Sequence, residues 1–141
     1  ERAVQGLDPD ARKRAEDVAS RFAQAMNART WQTSRQQWRE ALAPTVSPEL
    51  LKTLDVDRDW ESDAQHRFVQ AKASTSVQVL ESRAQTVQGE RVDVALMVAT
   101  ETTGEDPWVT APRTERPMTV VVDTTQNRVV EQIDMTPHGG L

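Results

Sequence analysis

The sequence predicts an α+β domain in which N-terminal helices pack on a curved antiparallel sheet of about four strands. Two patterns carry this prediction. Amphipathic helical periodicity fills roughly the first 55 residues, and from about Phe68 onward apolar and polar residues alternate as in half-buried strands. A chain of 141 residues is most simply one domain. We place this domain at 10–136, between a linker or tail at 1–9 and a C-terminal tail at 137–141.

The first helix is predicted to begin at Pro9. Asp8 is a good N-cap residue, and proline fits the first helical position because the N–H that it lacks would be unsatisfied there. One apolar stripe follows at steps of three and four residues, as expected of a helix that buries one face. The stripe consists of Ala11, Ala15, Val18, Phe22, Ala25 and Met26.

Two shorter helices are predicted next. Ser34 and Gln37 form a capping-box pattern, and the helix that they open ends before Pro44. Ser47 and Pro48 repeat the signal of a cap followed by proline. The apolar side of this third helix consists of Leu50, Leu51 and Leu54.

The second half of the sequence is predicted to form a meander of strands. Alternating or apolar segments with turn residues between them lie at 69–79, 92–99, 118–123 and 128–135. Asn127 closes the last turn, where a left-handed backbone suits asparagine. The acidic stretch 55–59 and the proline-rich stretch 103–117 are predicted to be loops, while 60–66 fits neither period.

Composition excludes several classes of function. The net charge is −5, whereas nucleic-acid binding needs a basic surface. The chain has no cysteine, and no apolar run approaches the ~20 residues of a membrane span. The sequence begins at Glu1 rather than Met. One explanation of this start is a membrane anchor or signal segment that preceded Glu1 and was removed.

The tryptophans give the candidate partner-binding residues. Trp38 lies on an apolar helix face and is predicted to be core. Trp60 and Trp108 lie in predicted loops, where an exposed tryptophan can anchor a partner. The simpler interpretation of each is a loop tryptophan that folds back and covers the core. Pro107 and Trp108, in a long loop, are the first choice for a contact surface because such loops are often functional.

One pattern resembles a known family. It reads Trp38…Leu42-Ala43-Pro44…Ser47-Pro48-Glu49-Leu50…Leu54, ahead of the strand meander. It resembles the nuclear-transport-factor-like, cystatin-like cone, whose curled sheet is plugged by helices. Over 10–136 the chain looks like the extracytoplasmic cone domains of actinobacterial single-pass membrane proteins. These include the VirB-type and TcpC-type scaffolds of conjugative transfer systems and the Mce-associated proteins. Many such domains end their last strand with tryptophan, whereas this chain reads Val129-Val130-Glu131-Gln132-Ile133.

Enzymes on such cones need a carboxylate or histidine base in the cone mouth and a donor such as tyrosine. The chain has no tyrosine. For each candidate base, a surface position is the simpler interpretation. The candidate bases are Asp17, Asp93, Glu101, His66 and His138. Asp55, Asp57 and Asp59 imitate the start of a calcium loop, but Trp60 and His66 stand where that loop needs glycine and glutamate. We therefore predict no catalytic residue, no metal site and no cofactor.

The resemblance implies a non-enzymatic, extracytoplasmic assembly domain of a membrane-anchored protein, as part of a conjugative, type IV secretion-like apparatus. Its partners would be other envelope or transfer-apparatus proteins. A second copy of the chain is a further candidate, because Ala95, Met97 and Ala99 make the outer sheet face partly apolar. Two alternatives stay open. One is a cone that binds a small apolar ligand beside Ala71, Ala73, Ala95 and Ala99, and the other is an Mce-associated accessory of lipid transport.

Overall fold

A computed structural model describes residues 6–133, which fold into four helices and five strands. The elements are α1 (Pro9–Asn27), β1 (Arg29–Thr30), α2 (Arg35–Leu42), α3 (Pro48–Arg58), α4 (Asp63–Gln70), β2 (Ser74–Gln88), β3 (Arg91–Thr103), β4 (Ala111–Asp123) and β5 (Arg128–Ile133). This is the predicted α+β arrangement of helices on a curled antiparallel sheet. Part of the predicted N-terminal tail and all of the predicted C-terminal tail lie outside the described residues.

The predicted helix starts are confirmed. Asp8 Oδ1 accepts a hydrogen bond from the backbone N–H of Ala11 at 2.9 Å, and Pro9 opens α1. Ser34 opens α2 with a complete capping box. Ser47 caps α3 by accepting from the N–H of Leu50 at 3.2 Å. Each cap satisfies an N–H that the first helical turn leaves without a partner.

The sheet has five strands rather than four, in the order β1-β2-β3-β4-β5, and all neighbours are antiparallel. The extra strand is β1, which pairs Arg29 with Thr75 at the edge of the sheet. Two residues carry no periodicity, so the sequence could not reveal this strand. Two register shifts in β2, at Val79/Glu81 and Ala84/Thr86, increase the twist that curls the sheet.

Three predicted boundaries are wrong. Residues 55–58 continue α3 instead of forming a loop, and Val69 belongs to α4 instead of the first long strand. Strand β4 starts at Ala111, within the predicted loop at 103–117. Within residues 6–133, the first half of β4 pairs with β3 alone, because β5 pairs only from Thr119 onward. Proline is tolerated on such a free edge, since no ladder hydrogen bond is lost there.

The core lies between α1 and the concave face of the sheet. Phe22 and Val18 of α1 are fully buried, and they pack with the predicted apolar row of β3. That row is confirmed, and its members are Val92, Val94, Leu96 and Val98. Trp38 is also buried, as predicted, and Asn127 has the predicted left-handed backbone with φ of 56°.

A partly buried carboxylate contact joins α1 to β2 at the second register shift. Glu16 Oε2 accepts from the backbone N–H of Ala84 at 2.8 Å, and Ser82 Oγ donates to the backbone oxygen of Glu16 at 2.7 Å. Arg12 Nε lies 3.3 Å from the same carboxylate. Glu16 thus supplies the acceptor for the N–H of Ala84 in a strand whose regular pairing is interrupted.

Glu16→Ala is expected to lower the free energy of unfolding by about 1–2 kcal/mol, because it removes the acceptor of a buried N–H. Native-state hydrogen exchange should show the amide of Ala84 losing protection. Glu16→Gln is the matched control, since its side-chain oxygen can still accept. Equal protection of Ala84 in the wild type and in Glu16→Ala would contradict this account of the contact.

Candidate functional site

The loop between β3 and β4, residues 104–110, displays Trp108 to solvent. The Trp108 side chain is 93% exposed, and Pro107 beside it is exposed as well. An exposed tryptophan surrounded by polar surface is unusual in a folded domain, because tryptophan is buried on average. Trp108 and Pro107 therefore both face solvent in this loop, and their role as partner-binding residues stays a prediction.

The base of this loop is fixed on a small second core. The backbone N–H of Glu105 donates to the oxygen of Ala71 at 2.7 Å. Val109 packs against a buried cluster of Phe68, Ala71 and Ala73. The loop thus has one backbone bond and one apolar contact that tie it to the end of α4.

Hydrogen bonds inside the loop hold its tip. The N–H of Trp108 donates to Asp106 Oδ1 at 3.0 Å, and the N–H of Val109 donates to the backbone oxygen of Asp106 at 3.0 Å. Thr110 Oγ1 donates to the oxygen of Pro107 at 2.8 Å. A partner that covers Trp108 would therefore need to immobilise mainly its side chain, which lowers the entropic cost of binding.

Trp60 has a different environment from Trp108. Its ring packs edge-on against Trp38 with the centroids 5.6 Å apart, and it contacts the main core. Its indole Nε1 donates to Asp55 Oδ1 at 3.1 Å. The indole is half-buried and its polar atom is occupied, so only part of Trp60 faces solvent. Its role as a partner anchor stays a prediction.

Asp55 is the centre of a charged network that the sequence did not reveal. Its side chain is buried, and its carboxylate accepts from Arg35 of α2 at 2.6 Å and from Arg39 at 2.5 Å. The hydrogen bond from Arg35 is the main reason why the pKa of Asp55 lies below its usual value, and burial opposes this effect. Together with Trp60, these contacts clamp α2 and the segment after α3 onto α3.

A cleft of about 530 Å³ opens beside this network, between α3 and the end of β5. Arg58 and Gln132 line it, and its apolar surface comes from Met26, Trp38, Leu50 and Leu54. The Arg58 guanidinium stacks on two indoles, 5.0 Å from the Trp38 ring centre and 4.3 Å from that of Trp60. Tryptophan faces attract cations, so the rings hold this charge at the cleft wall.

Within residues 6–133, the structure does not bring the candidate bases together. Asp17, Glu101 and His66 are exposed on α1, β3 and α4, respectively. Asp93 is half-buried on the outer sheet face and accepts from Thr86 Oγ1 at 2.9 Å. His138 lies outside the described residues. Within residues 6–133, no group of three acidic or histidine side chains could hold a metal ion.

The alanines expected to leave room for an apolar ligand do not share a cavity. Ala71 and Ala73 lie in the second core beneath the β3–β4 loop. Ala95 and Ala99 lie on the outer face of β3, opposite the buried row. Ion pairs flank them on that face, between Glu81 and Arg83 and between Arg113 and Glu115. The outer face is therefore more polar than the alanines and methionine of β3 suggested.

Solved structures with the same fold include proteins of transfer and secretion systems. The putative transfer protein TraH from the Gram-positive conjugative plasmid pIP501 has a TM-score of 0.59 at 6% identity, covering 99% of both chains. CagV, a VirB8 homolog of the T4SS from Helicobacter pylori, has a TM-score of 0.61 at 11% identity, covering 88% of this chain and 99% of its own. An IcmL-like type IV secretion system protein from Legionella pneumophila has a TM-score of 0.58 at 13% identity, covering 94% of this chain and 97% of its own.

The same fold also occurs in the intermembrane space region of the chloroplast protein ARC6. Its TM-score is 0.56 at 15% identity, covering 86% of this chain and 94% of its own. Comparison with family models and with curated proteins gives no match. At identities of 6–15% the likeness shows the shared cone-like fold and not the function. Among the described helices, none combines the length and the apolar character needed to cross a membrane.

Proposed function

We propose that this chain is a non-enzymatic assembly domain of a conjugative transfer or type IV secretion-like apparatus. The observation that carries the proposal is the fold shared with TraH, CagV and the IcmL-like protein along nearly their whole lengths. The scattered positions of the candidate bases support a role other than catalysis. Cone folds serve several functions, so a direct test of partners is needed.

The contact surface of this assembly domain is proposed to be the tip of the β3–β4 loop, with Trp108 and Pro107 at its centre. Aromatic side chains dominate the binding energy of many protein interfaces because they bury a large apolar area. The loop is held by its own hydrogen bonds, so it is ordered before a partner arrives. Trp60 would contribute through its exposed edge only if the partner also covered the end of α3.

The partner is tested by photo-crosslinking in cells that carry the complete transfer system. A photoreactive residue replaces exposed Glu105 in the loop of the full-length protein, and a second variant carries it in place of exposed Val56 on α3. We expect covalent products with another transfer-apparatus protein from position 105 and none of the same mass from position 56. Absence of any transfer component among the products from position 105 would contradict the proposed surface.

The location is proposed to be extracytoplasmic, with attachment to the membrane through a segment that is not part of this chain. The expectation rests on the resemblance in sequence described above. Protease added to intact cells or spheroplasts should cleave the domain in the full-length protein, while a cytoplasmic marker protein stays intact. Cleavage that occurs only after the membrane is disrupted would overturn this part of the proposal.

A further inference from the structure

The first half of β4, residues 111–118, is a free edge of the sheet within the described part of the chain, and we call it the β4 edge. Strand β5 pairs with β4 only from Thr119 onward, and no other strand of residues 6–133 lies on that side. Most residues of the β4 edge are exposed. The unpaired backbone groups of such an edge are a template for a further strand.

The register of the sheet fixes which backbone groups of the β4 edge point outward. The N–H of Thr124 donates to the backbone oxygen of Glu90, which precedes β3, at 2.8 Å. From there to Thr114 the register between β3 and β4 has no shift, so every second residue of β4 directs its N–H and C=O to β3. Glu115 and Pro117 belong to the other set. The N–H and C=O of Glu115 and the C=O of Pro117 therefore point away from β3.

The opposite edge of the sheet is less suited to pairing. Beyond the residues that pair with β1, strand β2 carries two register shifts. Such bulges twist an edge away from a straight partner strand. The N–H of Ala84 at the second shift already donates to Glu16 of α1. The β4 edge, in contrast, is regular from Thr114 onward.

The charges of the β4 edge are complementary to themselves. Arg113 and Glu115 lie on the outer face of the sheet, where their side chains form an ion pair. In a two-fold antiparallel pairing with Thr114 on the axis, each Arg113 faces Glu115 of the other copy. With Arg113 or Glu115 on the axis, two like charges would face each other. Opposite charges stabilise a cross-strand pair and like charges destabilise it, so this edge favours a second copy in one register.

We propose that two copies of the chain pair antiparallel through their β4 edges, with Thr114 on the two-fold axis. The N–H of Glu115 donates to the carbonyl oxygen of Arg113 in the other copy, and the two sheets join into one. This interface lies at the sheet edge rather than on the partly apolar outer face that the sequence suggested for a second copy. It does not depend on the assembly surface at Trp108.

Two prolines limit the length of this contact. Pro112 and Pro117 stand at the two ends of residues 113–116, and neither has an N–H to donate. The intermolecular ladder is therefore short, and a contact of this size belongs to the weak class of interfaces. We expect the dimer to be populated only at high protein concentration.

The first test uses single cysteines in the full chain, which has none of its own. Thr114→Cys places two thiols across the axis in a pair whose Cα atoms lie about 4.5 Å apart, within the range of a disulfide. Arg116→Cys is the matched control on the same strand, because the register separates its two copies by about 13 Å along the strand. With copper phenanthroline as oxidant, Thr114→Cys should form the covalent dimer roughly tenfold or more faster than Arg116→Cys.

The second test exchanges the charges. Arg113→Glu sets acids against each other across the axis and should weaken the dimer roughly tenfold or more. Adding Glu115→Arg restores opposite charges in exchanged positions and should recover the dimer. Sedimentation velocity at high protein concentration measures the dimer fraction, and circular dichroism establishes that the variants are folded.

Three results would overturn the proposed interface. One is equal crosslinking of Thr114→Cys and Arg116→Cys, and another is no recovery of the dimer in the variant with exchanged charges. The third concerns residues 134–141, which follow β5. If Thr114→Cys crosslinks only after these residues are deleted, the chain's own segment occupies the β4 edge instead of a second copy.

Discussion

Asp55→Ala is expected to lower the free energy of unfolding by about 2–3 kcal/mol, the largest effect that we predict for a single polar side chain. The substitution removes the buried acceptor shared by Arg35, Arg39 and the indole of Trp60. The cost is limited because Arg35 and Arg39 are 59% and 41% exposed and can regain water. Urea unfolding followed by tryptophan fluorescence measures the change.

Asp57→Ala is the matched control for this prediction, because Asp57 is an exposed carboxylate on the same helix. It should change the free energy of unfolding by less than about 0.5 kcal/mol. Asp55→Asn should fall between the two variants, since an amide oxygen still accepts hydrogen bonds but carries no charge. A loss in Asp55→Ala no larger than that in Asp57→Ala would show that the network does not stabilise the fold.

The same network gives a pH dependence whose sign follows from the lowered pKa of Asp55. The unfolded chain binds this proton near the usual value of about 3.9, whereas the folded protein binds it only at lower pH. The contribution of Asp55 is therefore complete above about pH 4 and is lost as the pH falls through the lowered folded value. The difference in stability between the wild type and Asp55→Asn should shrink on acidification from pH 6 to pH 3.

Trp108→Ala is expected to weaken binding of the partner found by crosslinking by roughly 30-fold or more, which corresponds to a loss of about 2 kcal/mol at an interface hot spot. The melting temperature should stay unchanged, because a side chain that is 93% exposed contributes little to the core. Titration calorimetry with the purified partner and the purified domain measures the affinity.

Val56→Ala controls for the loss of any exposed apolar side chain, since Val56 is 75% exposed on α3. It should leave the affinity unchanged. Trp108→Phe should retain part of the affinity, because phenylalanine still buries an aromatic ring. Wild-type affinity in Trp108→Ala would remove Trp108 from the interface, whatever the partner is.

Local signals in the sequence predicted the elements that depend on local chemistry. The caps at Asp8, Ser34 and Ser47 are confirmed because capping needs only a side-chain oxygen and an N–H two or three residues later. The apolar row of β3 is confirmed because alternation reflects a burial pattern with a period of two. The predictions failed where contacts with residues distant in sequence overrode the preference of the local sequence.

The stretch 55–59 shows that competition. Its acidic residues favour a loop by composition, yet α3 continues to Arg58 because Asp55 is neutralised by Arg35 and Arg39, which lie 20 and 16 positions earlier. No local pattern links these positions. The β4 prolines mislead in the same way, because whether a proline is tolerated depends on which side of a strand is unpaired.

For the candidate sites, the sequence by itself determined that Trp108 lies beside Pro107 between two strands, and that the chain offers no obvious catalytic set. Only the tertiary structure decided that Trp108 points to solvent while Trp60 packs on Trp38, since exposure depends on neighbours distant in sequence. It also decided that Arg58 and Gln132, 74 positions apart, line one cleft, and that Arg58 Nε and Gln132 Oε1 lack a hydrogen-bond partner within residues 6–133. Hydrogen-bond satisfaction is a property of packed atoms in three dimensions, so periodicity and composition carry no record of it.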